Sequence, residues 1–123
     1  MAETTPPRVL IVDPSEDARD VLRTALGRRG ISCLTEATPA AGLESAKARN
    51  PEVIVLDLDS LLSTEPGQDD FVFTAKAQQS SLLVIGQPPR GAVDLPSNNQ
   101  IAKPYHFAPL VNKIVQLMAY QHS

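Results

Sequence analysis

The sequence is poor in the residues on which secreted, membrane-spanning and nucleic-acid-binding proteins depend. It has one cysteine, Cys33, so it can form neither an intramolecular disulfide nor a zinc cluster, and a reducing compartment, the cytoplasm, is expected. No apolar run approaches the ~20 residues of a membrane-spanning helix, and the N-terminus lacks signal-peptide order, so membrane insertion is not expected. With 11 Lys and Arg against 14 Asp and Glu, direct binding to nucleic acid is also disfavoured.

The length of 123 residues predicts one domain with a single hydrophobic core. Residues 1–7 are polar and end in two prolines, which indicates a flexible N-terminal lead-in. The domain is expected to cover residues 8–120, and residues 121–123 to form a short tail.

Short aliphatic runs alternate with segments of helical periodicity. Strands are predicted at residues 8–12, 31–34, 53–57, 82–85 and 100–103, and helices at residues 15–30, 38–49, 70–79 and after Pro104. Between residues 87 and 99, three prolines and a glycine leave room for a short helix at most. Because this alternation needs crossover helices, it predicts an α/β fold with a parallel sheet covered on both faces.

Charged residues stand where the predicted strands end. Asp13 follows the first strand, Asp57 ends the third with Asp59 two residues later, and Lys103 ends the fifth. An acid in such a place can simply meet solvent, so each residue alone is weak evidence. Chemistry in parallel sheets sits at the carboxyl ends of the strands, and carboxylates beside one amine suit a divalent cation such as Mg²⁺. We therefore expect these side chains to converge within a few ångströms at one edge.

Four segments together resemble a response-regulator receiver domain of the CheY-like family. They are residues 9–13, 37–46, 51–57 and 103–105, in the family's order and at nearly its spacing. The resemblance implies a flavodoxin-like (βα)5 three-layer sandwich. Its five-stranded parallel sheet has the order 2-1-3-4-5 and five flanking helices, of which helix four is expected to be short or missing here.

The resemblance also implies a function in phosphorelay signalling. Asp57 would accept a phosphoryl group from a sensor histidine kinase or a phosphotransfer protein, and the chain would then act on a downstream protein partner. Mg²⁺ would be held by Asp13, Asp57 and the backbone carbonyl of Asp59, and Lys103 and the backbone of Gly86 would contact the phosphoryl group. Such a domain is a signalling receiver and not an enzyme beyond the transfer to itself. Relatives also dimerise or signal through helix four, strand five and helix five.

Three positions depart from the family pattern. Pro14 stands where a second acid ligates the metal, Gly86 stands where a Ser or Thr hydroxyl contacts the phosphoryl group, and Gln100 aligns with the switching aromatic residue. Mg²⁺ is therefore expected to bind weakly or not at all, and the usual threonine–aromatic rearrangement is missing. Two functions stay open, a receiver phosphorylated on Asp57 and a pseudo-receiver that docks on a partner without phosphorylation. Whether the chain is complete or part of a longer regulator is equally open.

A flavin-dependent redox carrier with the same strand order is disfavoured. Residues 13–17 are acidic where the first loop would have to bind a phosphate. Aromatic residues, which would stack on a flavin, make up 4% of the chain.

Overall fold

The computed structural model describes residues 7–61, 66–87 and 99–121. One parallel sheet runs through them in the order β2-β1-β3-β4-β5. Its strands are β1 Val9–Val12, β2 Cys33–Glu36, β3 Val53–Asp57, β4 Ser81–Ile85 and β5 Gln100–Ile101. The helices among these residues are α1 Glu16–Arg28, α2 Pro39–Arg49, α3 Gln68–Gln78 and α4 Phe107–Gln121, and a 3-10 turn, Leu58–Leu61, follows β3. The predicted fold class and strand order are confirmed.

Alternating residues of the central strands belong to two separate cores. Val9 and Ile11 of β1 pack with α1 and α4 on one face of the sheet. Leu10 and Val12 pack with α2 and α3 on the other. Because both faces are covered, every residue of β1 is buried, which explains why this strand has no polar alternation.

The helix boundaries follow from local chemistry. The hydroxyl of Ser15 accepts the backbone N–H of Ala18 at the start of α1, and the hydroxyl of Thr38 accepts that of Ala41 at the start of α2. Asn50 ends α2 in the left-handed conformation at φ 48°. The sequence predicted the two N-terminal caps, Ser15 and Thr38, at these positions.

Three predicted boundaries are wrong by a few residues. Strand β2 begins at Cys33 because β1 begins at Val9, the partner of Cys33, and Ile31 before it packs in the core beside α1. Helix α3 begins at Gln68, since the carboxylate of Asp70 accepts the N–H of Gly67 and so belongs to the third helical position. Strand β5 ends at Ile101 and not at Lys103. The reason is that β4 ends at Ile85, the partner of Ile101, and the chain then leaves the sheet.

Some predictions fall outside the described residues. These are the short fourth helix, whose expected place is largely residues 88–98, most of the lead-in at residues 1–6, and the end of the tail at residues 122–123. Within the described part of the chain, no helix has both the length and the apolar character needed to cross a membrane.

Gly42 marks a close approach between α2 and β1. A Cβ added at this position would lie 2.5 Å from a methyl carbon of the fully buried Val12. The glycine is therefore required by packing, although in sequence terms it only weakens the helix.

In Gly42→Ala, overpacking costs about 1–3 kcal/mol and the higher helix propensity of alanine returns about 1 kcal/mol. We therefore expect the free energy of unfolding to fall by up to about 2 kcal/mol. Gly27→Ala is the matched control, because a Cβ at Gly27 in α1 meets nothing within 4 Å. The control should be neutral or stabilising in urea unfolding. A similar gain for both variants would contradict the close approach at Gly42.

Candidate functional site

Neighbouring strands bring Asp13 and Asp57 together. In the parallel pair of β1 and β3, Val12 lies opposite Leu56. The residues that follow them, Asp13 and Asp57, are therefore neighbours at the carboxyl edge of the sheet. Both residues are almost completely buried, at 2% and 4% exposure. Burial raises the pKa of Asp13 and the charge of Asp57 raises it further, as expected for two acids at one edge of the sheet.

The turn after each strand orients its aspartate. Asp13 Oδ1 accepts the backbone N–H of Ser15 at 2.8 Å, and Asp57 Oδ1 accepts that of Asp59 at 2.9 Å. In both cases the donor lies two residues further along, which is the geometry of an Asx turn. The hydroxyl of Ser60 also donates to the carbonyl of Asp57 at 2.7 Å. The two carboxyl groups are therefore fixed by the backbone that follows them.

Lys103 reaches this acidic pair from beyond the end of β5. Its Nζ lies 2.8 Å from Asp57 Oδ2 and 2.9 Å from Asp57 Oδ1. The same Nζ lies 2.5 Å from Asp59 Oδ2. The predicted convergence of Asp13, Asp57, Asp59 and Lys103 at one edge is thus present in the structure.

The positive charge of Lys103 is distributed unevenly over the three acids. Burial raises the pKa of Asp13 to about 6; the Ser15 hydrogen bond opposes this, Asp57 adds to it, and Lys103 has the smallest effect. Burial lowers the pKa of Lys103, but its bonds to Asp57 and Asp59 outweigh this, and the net shift is upward. Lys103 therefore neutralises Asp57 and Asp59 more than it neutralises Asp13.

The donor set fits a divalent cation in part. Asp13 and Asp57 offer two adjoining carboxylates, and Mg²⁺ in proteins commonly takes one or two carboxylates with water in its other positions. The raised pKa of Asp13, caused by burial and by Asp57, indicates that a positive charge at this point would be favourable. Within the described ranges, however, no group of three acidic, histidine or cysteine side chains is arranged to hold a metal. The third nearby carboxylate, that of Asp59, is bound by Lys103.

Tyr105 lies close to the acidic pair, which the sequence did not predict. Its ring packs edge-to-face on Phe107, with centroids 5.5 Å apart. Burial raises the pKa of Tyr105, and the charges of Asp13 and Asp57 raise it further. The available signal was its position two residues after Lys103, which contributed only to the family resemblance.

No acid near Pro14 takes the place of the second metal-binding carboxylate in the described part of the chain. Pro14 itself is exposed. Glu16 and Asp17, the next acids along the chain, are exposed in the first turn of α1. There they stabilise the helix dipole, as the sequence suggests.

Gly86 requires a correction. Its backbone N–H, expected to be available to a phosphoryl group, donates to the carbonyl of Ile101 at 2.8 Å and so holds β5 on the sheet. Gly86 also has φ 110°, a conformation that residues with a side chain rarely adopt. Gln100, the third position that departs from the family pattern, is half-buried in β5 opposite Val84.

Comparison with solved structures identifies the fold. No protein-family model matches the sequence, and no curated protein matches it. The structure is similar to a CheY-like response regulator receiver domain protein from Methanospirillum hungatei JF-1, with a TM-score of 0.73 and 20% identity over 96% of this chain and 98% of that chain. It is equally similar, at TM-score 0.73, to a signal receiver domain from Vibrio parahaemolyticus, with 19% identity over 96% of this chain and 94% of that one.

A third similar structure is the response regulator receiver protein from Sinorhizobium medicae WSM419. Its TM-score is 0.73, with 16% identity over 92% of this chain and 94% of that chain. The chain therefore has the fold of CheY-like response regulator receiver domains, as the resemblance of its four sequence segments implied.

The raised pKa of Asp13 predicts an effect of pH on stability. Burial and Asp57 raise this pKa from 3.8 to about 6, so between those values the folded protein binds more protons than the unfolded chain. This carboxyl group therefore lowers the free energy of unfolding as the pH rises through that window. Asp13→Asn keeps the acceptor for Ser15 but has no charge, and should stabilise the protein by about 1 kcal/mol or more near neutral pH. The gain should vanish near pH 4.

Urea unfolding in a metal-free buffer at both pH values measures this difference. Asp20→Asn, an exposed acid of α1 that pairs with Arg23, is the matched control and should show no such pH-dependent gain. Destabilisation of Asp13→Asn at neutral pH would contradict the assigned cause.

The backbone at Gly86 gives a second prediction. A Cβ there would make only ordinary contact with Leu58, at 3.5 Å, so a loss of stability in Gly86→Ala must come from the backbone conformation. Gly86→Ala and Gly86→Thr should each lower the free energy of unfolding by about 1–3 kcal/mol. Chemical denaturation measures the loss, and wild-type stability in both variants would show that the backbone adapts without strain.

Proposed function

We propose that the chain is a receiver in two-component phosphorelay signalling, in which Asp57 accepts a phosphoryl group from a histidine kinase or a phosphotransfer protein. The observation that carries the proposal is the position of the Asp57 carboxylate. It lies at the carboxyl edge of β3, next to the strand end that carries Asp13, and is bound through both oxygens by Lys103. The receiver fold makes signalling the natural setting, and a cytoplasmic one agrees with the cysteine content.

The chemistry follows from the charges. An oxygen of Asp57 forms a bond to phosphorus while the phosphorus–nitrogen bond of the donor's phosphohistidine breaks, and the electron pair stays on the imidazole. Both reactants are negative, so the approach needs positive charge beside it. Lys103 supplies one charge. Mg²⁺, held by Asp13, Asp57 and the backbone carbonyl of Asp59, would neutralise phosphoryl oxygens when bound.

The two oxygens of Asp57 are not equivalent. Lys103 contacts both, at 2.9 Å from Oδ1 and 2.8 Å from Oδ2, but in the described contacts Oδ1 alone also accepts the backbone N–H of Asp59, at 2.9 Å. We assign Oδ2 as the nucleophile, because its attack keeps the hydrogen bond that fixes the carboxylate in place. Lys103 would then follow the phosphoryl group as a flexible point charge.

A pseudo-receiver is the second candidate. The backbone of Gly86 favours it, because its N–H is engaged by Ile101 and its φ of 110° suits glycine alone. Pro14 and Gln100 also lack the groups that the family uses for the metal and for the switch. In that case the domain would act by docking on a downstream protein or on a second copy of itself, without phosphorylation.

Amide NMR spectra with Mg²⁺ and a small phosphodonor or beryllofluoride separate the two candidates. A working receiver should show shifts centred on Asp13, Asp57, Gly86 and Lys103. Asp57→Asn should abolish the shifts that depend on the phosphodonor, while the control Asp20→Asn should retain them. Unchanged wild-type spectra would contradict the receiver function and favour the docking module.

A further inference from the structure

Lys103 is shared between two carboxylates in the resting protein. Its ammonium group has three donors, and they serve both oxygens of Asp57 and, at 2.5 Å, Oδ2 of Asp59. A phosphoryl group on Asp57 would need the same ammonium group. The contact with Asp59 therefore occupies a cation that the proposed chemistry requires.

Asp59 is held near Lys103 by its backbone and not by burial. It lies in the 3-10 turn Leu58–Leu61, and its N–H donates to Asp57 Oδ1. Its side chain is 64% exposed, against 5% for Asp57. Water can therefore take the place of Lys103 at Asp59 with little loss, whereas Asp57 depends on its partner.

We infer that Asp59 is a built-in competitor for Lys103, which holds the ammonium group in the resting protein and has to release it when a phosphoryl group binds at Asp57. The inference rests on the proposed receiver function and makes Asp59 a positioning residue that acts through Lys103. Its effect is to weaken the hold of the site on a phosphoryl group, since Lys103 has to give up its contact with Asp59 before it can serve that group.

Asp59 has two other conceivable effects, and they predict different results. If its carboxylate replaced the acid missing at Pro14 and bound Mg²⁺, its removal would weaken phosphoryl binding. If it acted only by repelling anions, its removal would strengthen binding without changing how Lys103 is held.

The test compares wild type, Asp59→Asn and the matched control Asp20→Asn. Asp20, like Asp59, is an exposed aspartate in an ion pair with a basic side chain, at 2.5 Å from Arg23. The first measurement needs no ligand: the order parameter of the Lys103 ammonium group by ¹⁵N NMR should fall in Asp59→Asn alone. The second is the affinity for beryllofluoride with Mg²⁺. It should rise about two- to fivefold in Asp59→Asn, the range expected for loss of an exposed ion pair, and stay unchanged in Asp20→Asn.

The possible results separate the inference from the function on which it rests. Tighter binding together with a less ordered ammonium group supports the competition. Unchanged or weaker binding by Asp59→Asn, where wild type binds, overturns the inference and leaves the receiver function standing. Tighter binding with an unchanged ammonium group also overturns it, in favour of simple repulsion. Failure of wild type and of Asp59→Asn to bind beryllofluoride overturns both.

Discussion

The pairing of β1 with β3 places two nearly buried carboxyl groups side by side. The other contacts at the carboxyl edge of the sheet compensate the charge of these two groups. Asp13 and Asp57 meet because Val12 lies opposite Leu56 in a parallel ladder. Two carboxylates buried away from water are unfavourable unless hydrogen bonds and positive charge compensate them. The following turns supply the hydrogen bonds, and Lys103 supplies charge mainly to Asp57. Asp13 is left with a raised pKa, caused chiefly by burial.

The departure at Gly86 goes deeper than a missing hydroxyl group. Its φ of 110° and its hydrogen bond to Ile101 give this residue a role in ending β4 and holding β5. A threonine at this position would have to adopt a strained backbone or change the end of the sheet. The glycine conformation at residue 86 and the short β5 strand are therefore parts of one local structure.

The two candidate functions share the same acidic edge and differ in what neutralises it. In a working receiver, the charges of Asp13 and Asp57 are a prepared site for cations and for an incoming phosphoryl group. In a docking module, the same charges are a cost that Lys103 partly offsets. Asp59 matters for both functions, because it binds Lys103, whose ammonium group is the only one that the described contacts bring to this edge.

Much of the fold was predictable because its signals are local. Buried strands appear as aliphatic runs, and Ser15 and Thr38 mark helix starts through hydrogen bonds that span three residues. The strand-end positions of Asp13 and Asp57 then follow from the rule for parallel sheets. The exact ends of β2, β5 and α3 were missed, since each depends on packing or on a partner strand.

The sequence by itself determined the alternation of strands and helices and the acids that end β1 and β3, because these depend on residue type and short-range periodicity. Only the tertiary structure decided that Lys103 binds Asp59 as well as Asp57. It also decided that the N–H of Gly86 donates to the carbonyl of Ile101 and that Gly42 is needed beside Val12. Each of these contacts joins residues far apart along the chain. Their geometry depends on how the sheet and the helices pack, so residue type and spacing in the sequence do not predict it.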